Sequence, residues 1–173
     1  MERQNLWAPW RINYIQGLSG KPGTGECFLC SDLKNPQQDD ANFVLWRTKN
    51  CIVVLNRFPY NNGHLLVAPV RHVPDLDQAQ DEELLEMMKL IRACQQALSA
   101  TIKPHGFNMG MNFGRCAGAG LPGHLHAHVV PRWDGDTNFM HVCSDTDVIS
   151  QSMTELLSLL KKVSIEKNLP GNF

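Results

Sequence analysis

The segment His124-Leu-His126-Ala-His128-Val-Val places three imidazoles at a spacing of two. Side chains alternate faces along a β-strand, so all three histidines project to one side, successive ones ~6.6 Å apart. Leu125, Ala127 and Val129 then face the other side, where a helix can cover them. Imidazole can be neutral near pH 7 and still accept a proton or a phosphoryl group. Immediately upstream lies Gly114-Arg-Cys-Ala-Gly-Ala-Gly-Leu-Pro-Gly123. Glycines let the backbone approach a ligand closely and turn N–H groups toward its oxygens. A row of imidazoles beside such a loop suggests phosphate chemistry. One buried histidine is usually just hydrogen-bonded in place, and two in alternation are often zinc ligands. Three after a glycine-rich loop make a purely structural role the minority reading.

The pair Cys27-Phe-Leu-Cys30 stands between a glycine-rich stretch and the polar run Ser31–Asp40. A redox role would need it at a strand-to-helix junction of a βαβ unit, which the sequence does not offer. A zinc ion held by four protein ligands needs two partners more, and His72 and His124 are the candidates. The alternative is two free thiols. Cys51 and Cys94 occupy apolar positions and read as small core residues. His105 and His141 read as surface or loop histidines. Trp133 could either stack on a base or pack at a strand end.

These residues need a scaffold. Phe43–Thr48, Cys51–Asn56, His64–Val70, Phe107–Phe113 and His124–Arg132 read as strands, with turns at Asn50 and at Pro59–Gly63. Asp81–Ala100 reads as a helix, with Leu84, Met87, Met88, Ile91, Cys94 and Leu98 on one apolar stripe. Asp81-Glu-Glu at its start complements the helix dipole. Val148–Glu166 reads as a second helix, with Ile149, Met153, Leu156, Leu157 and Leu160 on one face. A short helix is possible at Ala8–Ile15. Hairpin-length links favour antiparallel pairing, hence an α+β fold with an antiparallel sheet of about five strands, a central helix and a C-terminal helix.

The block Gly118-Ala-Gly-Leu-Pro-Gly-His124-Leu-His-Ala-His128-Val-Val-Pro-Arg-Trp133 resembles the histidine-triad (HIT) signature. Asn56-Arg-Phe-Pro-Tyr-Asn-Asn-Gly-His64-Leu-Leu-Val-Ala-Pro resembles the first nucleotide-binding strand pair of that family. Trp7-Ala-Pro-Trp-Arg11 and Pro131–Phe139 look like its bacterial diadenosine-tetraphosphate phosphorylase branch. The resemblance implies a single HIT domain over 1–173, with an irregular extension at 1–26 and a helical one at 145–173. It implies a nucleotidyl transferase or hydrolase that cleaves dinucleoside polyphosphates through a nucleotidyl-histidine intermediate. In it His126 is the nucleophile, His128 bonds the phosphate oxygens, and His64 sits behind the triad and orients it. Asn56 meets the ribose, while Asn112 and the backbone of Gly118, Ala119, Gly120 and Leu121 line the phosphate path. Many members carry Gln four residues before the first triad histidine, where this chain has Gly120; that departure fits a phosphate acceptor held by loop amides better than simple hydrolysis. Related zinc-bearing proteins support Cys27, Cys30, His72 and His124 as ligands of a structural zinc. The family commonly forms two-fold dimers. The same triad also serves nucleoside phosphoramidate hydrolases, and a regulatory nucleotide-binding module or a zinc-stabilised scaffold are the readings outside catalysis.

The 173 residues suffice for one domain with a real core. Sixteen Lys and Arg against 17 Asp and Glu give a net charge of −1, unlike the basic footprint of a DNA or RNA binder. The expected ligand is a purine nucleotide or dinucleoside polyphosphate, with no organic cofactor. Met1–Trp10 lacks the apolar core of a signal peptide, and no apolar run approaches the ~20 residues of a membrane span. A cytoplasmic location follows as the expectation, and with it reduced cysteines.

Overall fold

A computed structural model of the protein describes residues 27–114, 117, 123–136 and 148–171. The segments holding the Ala8–Ile15 helix, the Gly118–Leu121 backbone, Cys116, Cys143 and His141 lie outside the described residues. Five strands form: β1 (Val44–Arg47), β2 (Cys51–Leu55), β3 (Leu65–Pro69), β4 (Gly106–Met111) and β5 (Ala127–Arg132). They make one antiparallel sheet in the order β1-β2-β3-β5-β4. Helices α1 (Phe28–Lys34), α2 (Asp81–Ile102) and α3 (Met153–Glu166) complete the α+β fold.

The period of two along β2 explains the layering. Cys51, Val53 and Leu55 enter the main core with Met87, Leu90, Cys94 and Leu98 of α2 and Leu156, Leu157 and Leu160 of α3. Ile52 and Val54 point to the opposite face, where Leu29 of α1 joins Leu66 and Ala68 of β3. Leu125, Ala127 and Val129 fall in the main core, as their alternation with the histidines requires. Among the described residues, the imidazoles therefore emerge on the side of the sheet where the short α1 packs.

Helix α2 starts with a reciprocal capping box between Gln80 and Glu83, and Asp81, Glu82 and Glu83 crowd its first turn. It ends at Lys103, whose φ of 48° leaves the helical region just ahead of Pro104. Four expectations shift. Helix α3 begins at Met153, with Ser152 extended at its N-cap, so Ile149 precedes the helix. Met88 is 60% exposed rather than part of the buried stripe, because Met87 and Leu90–Ile91 already fill the arc that faces the sheet. α1 falls where no element was expected. And β5 opens at Ala127, so His124 and His126 stand on the segment leading into the strand rather than within it.

Candidate active site and metal cluster

The turn between β2 and β3 runs from Asn56 to Gly63 and folds back on itself, with Asn56 N–H donating to the His64 carbonyl at 2.8 Å. Asn61 Nδ2 ties it to the Pro131 carbonyl and to Asp136, at 3.2 and 2.7 Å. Gly63 adopts a φ of +77°, and a Cβ there would come within 2.8 Å of Ile102 Cδ1. Only glycine combines that backbone with that proximity. This construction delivers His64, 1% exposed, to the start of β3.

His64 is the middle of a hydrogen-bonded chain whose polarity can be worked out. The Tyr60 backbone N–H donates to His64 Nδ1 at 3.1 Å. The Phe58 N–H donates to Asn56 Oδ1 at 3.0 Å, which turns the Asn56 Nδ2 donor onto the same His64 nitrogen at 3.3 Å. Two donors on Nδ1 mean that Nδ1 is unprotonated. A neutral imidazole has one N–H, so His64 carries it on Nε2. Nε2 lies 2.9 Å from His128 Nδ1, which must accept. His128 in turn carries its proton on Nε2; Asn112 Nδ2 lies 3.4 Å from that nitrogen, and because an amide NH2 only donates, the Asn112 side chain bonds this Nε2–H with its amide turned over, oxygen toward the ring. The loop backbone thus determines that His128 presents a donor.

The second chain fixes His126. Its Nδ1 lies 2.8 Å from the His124 carbonyl, which can only accept, so Nδ1 carries the proton and Nε2 keeps a lone pair. The rings of His126 and His128 approach edge to face at 5.0 Å between centroids. A nucleophilic nitrogen and a hydrogen-bond donor therefore sit side by side. His124 turns away from this pair: its ring meets that of His72 at 4.9 Å instead. Its Nε2 donates to the Pro69 carbonyl at 2.9 Å, leaving Nδ1 as an acceptor. That nitrogen is 3.2 Å from Cys27 Sγ and 3.6 Å from Cys30 Sγ, while His72 Nδ1 is 3.2 Å from Cys30 Sγ. The four ligand atoms all lie within 4.8 Å of one another. Two sulfurs and two imidazole nitrogens so gathered fit a tetrahedral zinc site, with the Pro69 carbonyl holding the tautomer of His124.

Electrostatics agree with neutral rings. Burial pushes His64 down to about 3, and the neighbouring His128 and His126 add to the shift. Burial and His126 push His128 down to about 4. His124 is also lowered, by burial first, with the Pro69 carbonyl acting against it. The thiols outside the cluster behave as core residues: Cys51 and Cys94 are fully buried, and burial raises Cys51 to about 12.

Of the expected residues, His64, Asn112, His126 and His128 come together in one group, and Cys27, Cys30, His72 and His124 in a second beside it. Asn56 faces His64 with one end of its amide. His105 is exposed and pairs with Asp134, in keeping with a surface role. Sequence reading missed Tyr60, whose ring lies 4.6 Å from that of His64 and stacks at 5.6 Å and 24° on that of His128. It also missed Asp32 on α1, 3% exposed and bound by Arg57, the residue after Asn56. An aromatic inside a Pro-Tyr-Asn-Asn-Gly turn was the available signal for Tyr60.

The model of the HIT domain family matches residues 37–135. A Mycobacterium tuberculosis protein named AP-4-A phosphorylase is 39% identical over 160 residues, 91% of this chain and 82% of its own. A Schizosaccharomyces pombe protein named bis(5'-nucleosyl)-tetraphosphatase [asymmetrical] is 34% identical over 93 residues, 54% of this chain and 50% of its own. Among solved structures, a Zn-bound histidine triad family protein from Mycobacterium smegmatis superposes with a TM-score of 0.67 over 83% of this chain and 96% of its own, at 24% identity. That likeness shows the same fold.

Proposed function

The chain belongs to the HIT domain family, and within it we propose an enzyme that cleaves dinucleoside polyphosphates through a nucleotidyl group carried on His126. The observation that carries this reading is the 2.8 Å bond from His126 Nδ1–H to the His124 carbonyl, which leaves Nε2 as a nucleophile with its lone pair fixed. The named activities of the similar Mycobacterium tuberculosis and Schizosaccharomyces pombe proteins support the substrate class.

In the first step the Nε2 lone pair attacks an α-phosphorus. A P–N bond forms and the P–O bond to the leaving nucleotide breaks. The positive charge that develops on His126 is spread onto the His124 carbonyl through Nδ1–H. His128 Nε2–H faces the phosphoryl oxygens and stabilises their growing charge. In the second step inorganic phosphate or water attacks the same phosphorus, and the P–N bond breaks. Splitting one displacement in two and holding the acceptor in place account for the catalysis. The Asn56 amide keeps one N–H and one lone pair beyond its bonds to His64 and Phe58, enough to meet a ribose hydroxyl. Gly118–Leu121 would supply backbone donors along the phosphate path.

Cys27, Cys30, His72 and His124 would hold a zinc whose contribution is folding energy, not reaction chemistry. The same reading includes a cytoplasmic homodimer, which the exposed Leu85 and Met88 of α2 favour, at 58% and 60% exposure. Among the described residues, no helix is long and apolar enough to cross a membrane. The test incubates the protein and its His126→Ala variant with diadenosine tetraphosphate, with and without inorganic phosphate. ADP plus ATP that appear only with phosphate and with His126 support a phosphorylase. AMP plus ATP without phosphate make it a hydrolase. Turnover undiminished in His126→Ala refutes the nucleophile.

A further inference from the structure

Tyr60 touches the imidazole chain twice. Its backbone N–H donates to His64 Nδ1 at 3.1 Å. Its ring lies against His64 at 4.6 Å and stacks on His128 at 5.6 Å. The two imidazoles it covers are themselves 5.1 Å apart and tilted by 46°, joined by the single 2.9 Å bond from Nε2 to Nδ1. A hydrogen bond between two rings is directional and weakens steeply as either ring turns. His64 is fixed by its two donors and by burial. His128 has no such clamp on its Nδ1 side beyond His64, and it lies on the open side of the sheet, opposite Gly110, where even an added Cβ would meet nothing within 4 Å. His126 stands edge-on to it at 5.0 Å and Asn112 lies 3.4 Å from its Nε2, and the face of Tyr60, stacked at 5.6 Å, restrains the ring plane itself. The side chain is itself 55% exposed, so covering the imidazoles, rather than filling core, is what its position achieves.

We infer that Tyr60 is a positioning residue of this site: its backbone N–H selects the tautomer of His64, and its ring holds His128 in line so that the selection reaches His128 Nε2 as a donor aimed at the phosphoryl group. The catalytic use of that donor rests on the nucleotidyl-histidine reading above, but the tautomer arrangement does not. General acid–base groups contribute about 10²–10⁴-fold when well placed, and Tyr60→Ala loosens the donor without deleting it. The expected loss in kcat is therefore about tenfold, with KM changed far less, since tenfold corresponds to one modest orienting contact. Tyr60→Phe keeps the ring and restores the wild-type rate.

The deciding experiment is ¹⁵N NMR of the histidine rings in the full-length protein, alongside kinetics and nucleotidyl trapping with labelled diadenosine tetraphosphate. The wild-type and Tyr60→Phe proteins should show His64 and His128 each protonated on Nε2 alone. Tyr60→Ala should keep His64 so and show His128 averaging between tautomers. A wild-type His64 protonated on Nδ1, or a His128 in Tyr60→Ala with an unchanged spectrum, overturns the inference. A wild-type protein with the expected spectra that traps no label would refute the nucleotidyl-histidine reading while leaving the tautomer arrangement in place. Equal thermal stability of Tyr60→Ala and wild type, with the spectral change present, separates positioning from a general loss of structure.

Discussion

Replacing His64 by Gln should flatten the dependence of stability on acid, by an amount that can be worked out. In the unfolded chain a histidine titrates near 6.5. In the folded protein burial holds His64 near 3 and His128 near 4. Between those limits the unfolded state binds protons that the native state refuses, so stability is fully present above about pH 6.5 and is lost as the pH falls. Each such proton contributes about 1.4 kcal/mol per pH unit. His64 alone therefore removes roughly 2 kcal/mol between pH 6.5 and 4.5, a sizeable share of the ~5–15 kcal/mol that holds a typical domain. His128 acts in the same direction, but it is partly exposed, and solvent screening makes its share smaller. The perturbation is thus best placed at His64. Gln has no proton to gain, and contributions common to both proteins, from carboxylates and from His124, cancel in the comparison. The assay is urea unfolding at half-unit steps from pH 7 to 4.5 with zinc present, followed by the fluorescence of Trp46, which is buried and bonded to Ser164. The expected difference in slope is about 1.4 kcal/mol per pH unit. Parallel curves for wild type and His64→Gln would mean that His64 accepts protons in the folded state, and the polarity assigned to the whole imidazole chain would be wrong.

Removal of metal should lower stability before it alters the attacking nitrogen. Chelation that costs about 4 kcal/mol would lower Tm by about 10 °C in a domain of this size, restored by zinc, and a Tm indifferent to chelator would refute the four-residue site. Gly63→Ala puts a Cβ 2.8 and 2.9 Å from Ile102 and Leu98 on a positive-φ backbone and should cost about 1–3 kcal/mol in urea unfolding; a neutral effect would mean the turn can refold around it. His126→Ala should abolish nucleotidyl trapping, whereas His128→Ala should slow it by about 10²–10³-fold and still yield the adduct. Equal labelling of His128→Ala and wild type would remove His128 from the first step.

Local pattern made the sheet and the two long helices readable. The alternation through Leu125–Val129 predicted which side chains enter the core, and the apolar stripe with its acidic first turn predicted α2. The ligand count of zinc asked for two partners beyond Cys27 and Cys30, the resemblance to zinc-bearing relatives supported His72 and His124 as candidates, and the four side chains do gather. What sequence could not reveal depends on contacts between distant segments. Seven residues, Phe28–Lys34, are too short to display a helical period, and α1 is held by Leu29 docking on β2 and β3. The row of three imidazoles was expected to be regular, yet Leu125 N–H bonds the Val73 carbonyl at 2.6 Å and His124 is drawn to the sulfurs, ahead of the strand. The tautomers follow from a backbone amide in the β2–β3 turn, and no residue type announces where a main-chain N–H will point.

That amide also makes acid and the closed turn rivals. The lone pair on His64 Nδ1 is a single seat, occupied by the Tyr60 N–H and the Asn56 amide. A proton arriving there would set three donors facing one another. Either the proton stays out or the turn lets go, and the turn carries Asn56 and the Tyr60 ring with it. Acid would thus undo the closed β2–β3 turn and the imidazole alignment in one event, since a single nitrogen holds both.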